Sequence, residues 1–281
     1  MPIRITARGM VNRIIDAHTH AWTDEKEMSW ETTGPPGAES IVYTVENVRE
    51  DMEALGVDEA CLVATPIHGR GSEYTRSCVR ATPDDMYGIL WLDYKADDIA
   101  DRVDDALGQE NILGFRFYAE GGDDITSKKL NGFWRALEGW TDPQVHFLLR
   151  PWLLEAAESI VAAHPDVTFV FDHLAQPKPG KHNATEPPYS TLSQISDYSN
   201  AYVKVTKTPA IDPFPFTELH EYIRFLVNEF GSERLLWGSD FIYHFKQATP
   251  WETLHFLDQM EFISSGERRD LLYRTFESML P

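Results

Sequence analysis

The 281-residue chain is poor in cysteine, holding only Cys61 and Cys78. Two cysteines exclude a disulfide-stapled secreted scaffold, and Cys61 lies in an apolar, strand-like run where a buried thiol is the expected state. Lysine is also scarce, 9 against 16 arginines, while Asp and Glu total 45 and the formal net charge is −20. A surface of that sign repels nucleic acid and anionic membranes, so neither is expected as a partner. It suits a salt-rich cytoplasm or an ordinary acidic protein. No run of about 18 apolar residues occurs, which excludes a helical membrane span. The N-terminal stretch lacks an apolar segment followed by a small-residue cleavage site, so no signal peptide is read and a cytoplasmic location is expected. No repeat, low-complexity tract or linker divides residues 1–281, which read as one domain. No Gly-x-Gly-x-x-Gly follows the first apolar run, which counts against an open dinucleotide-binding sheet.

What is present is enough apolar material for a full core, 42% of residues with 12% aromatic. Eight apolar, β-branched or aromatic runs occur at 14–20, 60–65, 86–94, 112–118, 145–150, 167–174, 201–206 and 235–242. Most are continuous rather than alternating, as in strands buried on both faces. Helical patterns lie between them. Thr44 is placed to cap a helix carrying Val45, Val48, Met52 and Leu55 and ending at Gly56. Ile99, Val103 and Leu107 mark another, and further helices fit 128–140, 152–164, 189–199, 217–230, 251–260 and 266–279. Strands alternating with helices imply a parallel sheet. Eight such units in this length close into a (β/α)8 TIM barrel, with an open doubly wound sheet as the alternative. The connections 23–43 and 175–188 are long, and both fall on the face where such barrels build active sites.

Candidate chemistry collects at strand ends. Asp16-Ala17-His18-Thr19-His20 closes the first run, and alternate strand residues share a side, so His18 and His20 project together. Two converging imidazoles begin a metal site, though an isolated His-x-His is a weak signal. Asp240, in Trp237-Gly238-Ser239-Asp240-Phe241, ends the eighth run beside the first. A carboxylate there suits metal ligation, or proton abstraction from water and return to a leaving group. His173 ends the sixth run and suits a metal or a substrate carbonyl; Asp172 beside it is expected to point away. Arg116, Arg150 and Lys204, with Lys207, put positive charge at the same mouth, which points to an anionic or oxygen-rich substrate. Neutralisation of neighbouring acids is the other role open to them. Trp22, Tyr118 and Tyr243 are candidate pocket walls, and His68, His182 and His244 lie on loops of that face. His146 is expected on the wrong face for catalysis, His164 at the surface, and His220 and His255 within helices.

These residues together resemble the amidohydrolase-related family, TIM-barrel metal-dependent hydrolases that include sugar lactonases, pyrone-dicarboxylate lactonases and nonoxidative decarboxylases. The resemblance runs from Ile14 to the last helix. It is carried by Ile15-Asp16-Ala17-His18-Thr19-His20, Gly114-Phe115-Arg116, Phe171-Asp172-His173-Leu174-Ala175-Gln176-Pro177, Val203-Lys204-Val205-Thr206 and Trp237-Gly238-Ser239-Asp240-Phe241. The Asp-His-Leu-x-x-Pro run is most similar to the lactonase branch. The resemblance implies hydrolysis of a lactone or related cyclic ester of an anionic or sugar-like small molecule. Asp240, His173 and Arg116 would be catalytic, and Trp22, Tyr118, Arg150, Lys204 and Tyr243 would contact substrate. His18, His20 and Asp240 would hold one divalent metal, zinc first and manganese second, although some lactonase relatives work without one. The alternative is metal-dependent nonoxidative decarboxylation of an aromatic or unsaturated carboxylic acid. The chain departs from that branch at strand five, which ends Leu148-Leu149-Arg150 without a histidine. No strand-four lysine is present for carbamylation, which argues against a binuclear centre. A homo-oligomer is an open expectation.

Overall fold

A computed structural model describes residues 13–22, 42–65, 72–119, 125–177, 186–206, 212–241 and 247–281. Its strands are β1 (Ile15–Thr19), β2 (Glu59–Val63), β3 (Met86–Leu90), β4 (Ile112–Ala119), β5 (Gln144–Leu149), β6 (Thr168–Phe171), β7 (Ala201–Val205) and β8 (Leu235–Trp237). They pair in chain order as one parallel sheet, each with the next. This is the (β/α)8 barrel expected from the run of eight apolar segments. Between β8 and β1 the join is made by single groups: the Asp240 N–H donates to the His18 carbonyl at 2.8 Å. The Ser239 N–H donates to the Asp16 carboxylate at 2.9 Å, and the same oxygen accepts from the His18 N–H at 3.0 Å. Burial raises the Asp16 carboxyl to about 6, against the pull of these hydrogen bonds.

Side chains sort cleanly between the two sides of the barrel wall. Val145, Phe147, Phe169, Phe171, Val203 and Val205 face the helices within the main core. Ile15, Ala17, Cys61, Val63, Ile89, Val170 and Leu236 form a separate cluster within the barrel. The β1 ladder slips between Asp16 and Thr19. That irregularity shifts the inward face from Ile15 and Ala17 to His18 and His20, as bulges re-aim side chains beside active sites. A second slip lies on β4, between the pairings of Ile112 and Gly114. There Gly114 is backed so closely against β5 that a Cβ would stand 1.9 Å from the Gln144 carbonyl oxygen. We expect Gly114→Ala to destabilise the barrel by about 3 kcal/mol or more, since backbone cannot yield as a side chain does. Thermal unfolding checks this: an unchanged melting temperature would show that the wall is softer than the packing implies.

The helices follow the expected order with shorter bounds. The first, α1 (Val45–Leu55), has Thr44 as N-cap and Gly56 as C-cap at φ 75°, where glycine relieves the left-handed strain. A helix not read from sequence, α2 (Glu73–Ala81), follows β2 and buries Thr75, Arg76, Cys78 and Val79. Only two of those four are apolar, so its periodicity is faint. Then come α3 (Ile99–Leu107), α4 (Asn131–Leu137), α5 (Leu154–Ala163), α6 (Thr191–Ile195) and α7 (His220–Phe230). The expected helix at 189–199 contracts to the five residues of α6. The one at 266–279 is broken into Ser265–Arg269, a wider π-type turn at Asp270–Arg274, and Thr275–Ser278. Among the described residues no helix is long and apolar enough to cross a membrane.

Candidate active site

The C-terminal ends of β1, β6, β7 and β8, together with the middle of β4, bring His18, His20, Arg116, His173, Thr206 and Asp240 together, all buried. Asp240 stands at the centre. Its Oδ1 lies 3.0 Å from His20 Nε2 and 3.6 Å from His18 Nε2, and its Oδ2 lies 3.8 Å from His173 Nδ1. Asp240 adopts φ 47°, a left-handed geometry that Asp and Asn tolerate better than other non-glycine residues.

Donor and acceptor roles follow from the partners. His20 Nδ1 lies 2.6 Å from the Val63 carbonyl. A carbonyl only accepts, so this nitrogen carries the proton. The neutral ring therefore turns a lone pair toward Asp240, and a carboxylate and a lone pair 3.0 Å apart require a proton or a cation between them. Burial lowers the His20 pKa, which disfavours the doubly protonated ring. Arg116 donates from Nε to Asp172 at 3.0 Å and from Nη2 to His173 Nε2 at 3.1 Å. His173 Nε2 is thus an acceptor, and its Nδ1 donates to Thr206 Oγ1 at 2.7 Å. Residues 173–176 run through four consecutive positive φ angles of 55°, 57°, 57° and 58°. Each such non-glycine residue costs roughly 1–2 kcal/mol, and the strained turn swings His173 into the mouth after β6 has ended.

Three expectations are corrected here. Asp172 points into the barrel, fully buried, with its carboxylate on Arg116 and 3.5 Å from Lys204. Strand alternation places it on the inward side of Val170, and His173 joins it only through the left-handed turn. His146 is likewise inside the barrel, 2.8 Å from Lys204 Nζ through its Nδ1. Inward and outward residues alternate along β5, and His146 falls on the inner side between Val145 and Phe147. Lys204, expected at the substrate, is fully buried, with its amine facing His18, His146 and Asp172. That takes it below the mouth.

Other expected residues are more peripheral. Trp22 is buried and pairs its backbone with Tyr43, at 2.7 and 3.1 Å. Tyr118 and Arg150 are half-buried at the ends of β4 and β5. His164 is partly covered, stacked on Trp134, while His220 and His255 lie in helices as expected. Tyr243, His68, His182, His244 and Lys207 lie outside the described residues.

Residues 15–277 match the family model of the amidohydrolases. The chain belongs to the amidohydrolase family. Among curated relatives it is similar to the L-fucono-1,5-lactonase of Burkholderia ambifaria, 24% identical over 238 residues, which are 80% of this chain and 79% of that protein. Among solved structures it is similar to a probable 2-pyrone-4,6-dicarboxylic acid hydrolase from Acinetobacter baumannii with citric acid bound. The two share 17% identity and a TM-score of 0.82 over 95% of this chain and 98% of the other. An amidohydrolase from Burkholderia multivorans with bound zinc has 18% identity and a TM-score of 0.80, over 96% and 100% of the two chains. At these identities the two structures speak for the fold.

A divalent metal, which the family implies, fits the donor set. His18, His173 and Asp240 present ligand atoms within 4.8 Å of one another. Among the described residues His18 Nε2 is buried without a hydrogen-bond partner, and His20 turns its lone pair to the same Asp240 oxygen. The set expected from sequence, His18, His20 and Asp240, thus gains His173 as a competing member, which would have to give up its Nδ1 hydrogen bond to Thr206 to ligate.

Proposed function

We propose that this amidohydrolase opens a lactone or related cyclic ester of an anionic or sugar-like small molecule to its hydroxy acid. The observation that carries the reading is the buried Asp240 carboxylate held among three imidazoles, a group built to take and return one proton. Asp240 abstracts a proton from water as it attacks the ester carbonyl. The oxygen of that carbonyl gains negative charge, and Arg116, whose Nη1 has no partner among the described residues, stabilises it. Collapse breaks the ring C–O bond, and the proton held at Asp240 passes to the leaving alkoxide. His20 stands against one Asp240 oxygen, and His173 holds Arg116 in place. When bound, a zinc ion would polarise the carbonyl and acidify the water, with His18, Asp240 and either His20 or His173 as its ligands; manganese is the second choice. Trp22, Tyr118, Arg150 and Tyr243 are proposed as the walls of the substrate pocket. A cytoplasmic location and a single 1–281 domain fit this reading.

The reading is supported by the lactonase relative and by the absence of a histidine at the end of β5, where Leu149 precedes Arg150. The decarboxylase alternative differs in product. Sugar δ-lactones and carboxylated aromatics are offered to purified protein, and acid release is followed against carbon dioxide release. Proton release from a lactone, with turnover of about 1 per second or more, is the expected result. Carbon dioxide from an aromatic acid, with no lactone opened, would replace this reading by the lyase.

A further inference from the structure

A continuous hydrogen-bonded column runs down the barrel from the mouth. At its base Gln144 Nε2 donates to the Met279 carbonyl at 3.1 Å. A carbonyl only accepts, so the amide oxygen faces upward, 3.0 Å from His146 Nε2. His146 therefore carries its proton on Nε2 and presents a bare Nδ1. That nitrogen lies 2.8 Å from Lys204 Nζ, which also reaches His18 Nδ1 at 3.2 Å and stands 3.5 Å from Asp172 Oδ1. The three N–H groups of the lysine face three acceptors, and all these side chains are buried.

The direction of every bond is thus set from below, and it fixes the ring above. Two groups compete for His18 Nδ1. Lys204 meets it in hydrogen-bond geometry, whereas the Asp172 oxygen stands farther off, at 3.4 Å and outside that geometry. If Nδ1 accepts from the lysine, the proton of the neutral ring sits on Nε2, the atom 3.6 Å from Asp240. We infer that Lys204 is a positioning residue that holds the His18 proton on Nε2, so that His18 faces Asp240 as a donor and is a metal ligand only after that proton is lost or moved. Moving it to Nδ1 is the competing arrangement, with the proton given to Asp172 and the Nε2 lone pair opened to a metal. Lys204 thereby weights the site toward proton donation and weakens its grip on a divalent ion. The inference concerns the same site as the lactonase reading but does not depend on which reaction follows, and its test uses no substrate.

The test reads the tautomer directly. Long-range proton–nitrogen correlation spectra of nitrogen-15-labelled, metal-free protein are recorded at mildly alkaline pH, with His18 assigned from a His18→Gln sample. Wild type is expected to show His18 protonated on Nε2. Lys204→Met removes the donor, and the proton moves to Nδ1 beside Asp172. Lys204→Gln removes the charge but keeps an N–H donor, so the Nε2–H form is retained. Zinc affinity is measured in parallel by competition with a chromophoric chelator. Outer partners of metal-binding histidines change affinity by about 10- to 100-fold, so Lys204→Met is expected to bind zinc about 10-fold more tightly than wild type, and more tightly than Lys204→Gln. A wild-type His18 protonated on Nδ1 would overturn the inference. So would equal tightening in both variants with the tautomer unchanged, which assigns the effect to charge alone. If Lys204→Met fails to fold, the wild-type spectrum and the Gln variant still decide.

Discussion

Asp240→Asn is expected to lower turnover by about 10²- to 10⁴-fold, the range lost when a positioned general acid–base is removed, while leaving the fold intact. The substitution suits its purpose because it changes little else. Asn tolerates the φ of 47° at this position, and the backbone hydrogen bond from residue 240 to the His18 carbonyl is kept. The amide also fills the carboxylate's space between His18 and His20. What it lacks is the ability to accept a proton from water. The uncharged side chain also relieves the confrontation between carboxylate and lone pair at His20, so the melting temperature should hold or rise slightly. Steady-state kinetics on whichever lactone wild type opens, with a thermal scan alongside, checks both halves. A variant with near-normal turnover would remove Asp240 from the proton path. A variant that is inactive because it is unfolded would say nothing of catalysis, which is why the melt is needed. The same substitution does not separate hydrolysis from decarboxylation; only the product does.

How much of this was legible before the structure depends on which physical rule each residue obeys. The eight strands were, because continuous runs such as Phe169-Val170-Phe171 are what a sheet buried on both faces demands. The convergence of His18, His20, His173 and Asp240 followed from their places at strand ends. The inward placement of Asp172 and His146 did not, although the signal was present. Phe169 and Phe171 are bulky and face the helices, which leaves Val170 and Asp172 to the interior by simple alternation. The expectation fails because strand alternation is counted from His173, and His173 obeys a left-handed turn rather than the strand period. No propensity rule foretells four consecutive non-glycine residues at positive φ. The irregularity in β1 was hidden for a similar reason, since its evidence is a register slip against β2. The hydrogen-bond direction along Gln144, His146, Lys204 and His18 was beyond reach of sequence, because it rests on which atoms meet.

The interior charge cluster predicts the largest stability effect in the molecule, and it lies at Asp172. This carboxylate is fully buried. Burial alone would raise its pKa, but Lys204, His18 and Arg116 outweigh that and hold it well below the ordinary carboxylate range. Asp172→Asn keeps the shape and removes the charge, leaving Arg116 and Lys204 as two buried cations without their shared partner. Breaking a buried ion pair on one side costs about 3–5 kcal/mol, and in a chain of this size a melting temperature about 6–15 °C lower is the expected reading. The companion test is the double variant Asp172→Asn/Lys204→Met, which withdraws one of the stranded cations. If the loss in the single variant is uncompensated charge, the double variant should be more stable than Asp172→Asn by about 1 kcal/mol or more, a coupling within the range found for contacting groups. Strict additivity of the two losses would mean that solvent reaches the cluster and screens it. Recovery would show that the barrel interior holds Asp172 chiefly to balance the two cations that set the proton positions above it. It would also explain why an acidic chain with few lysines keeps one of them at the barrel axis.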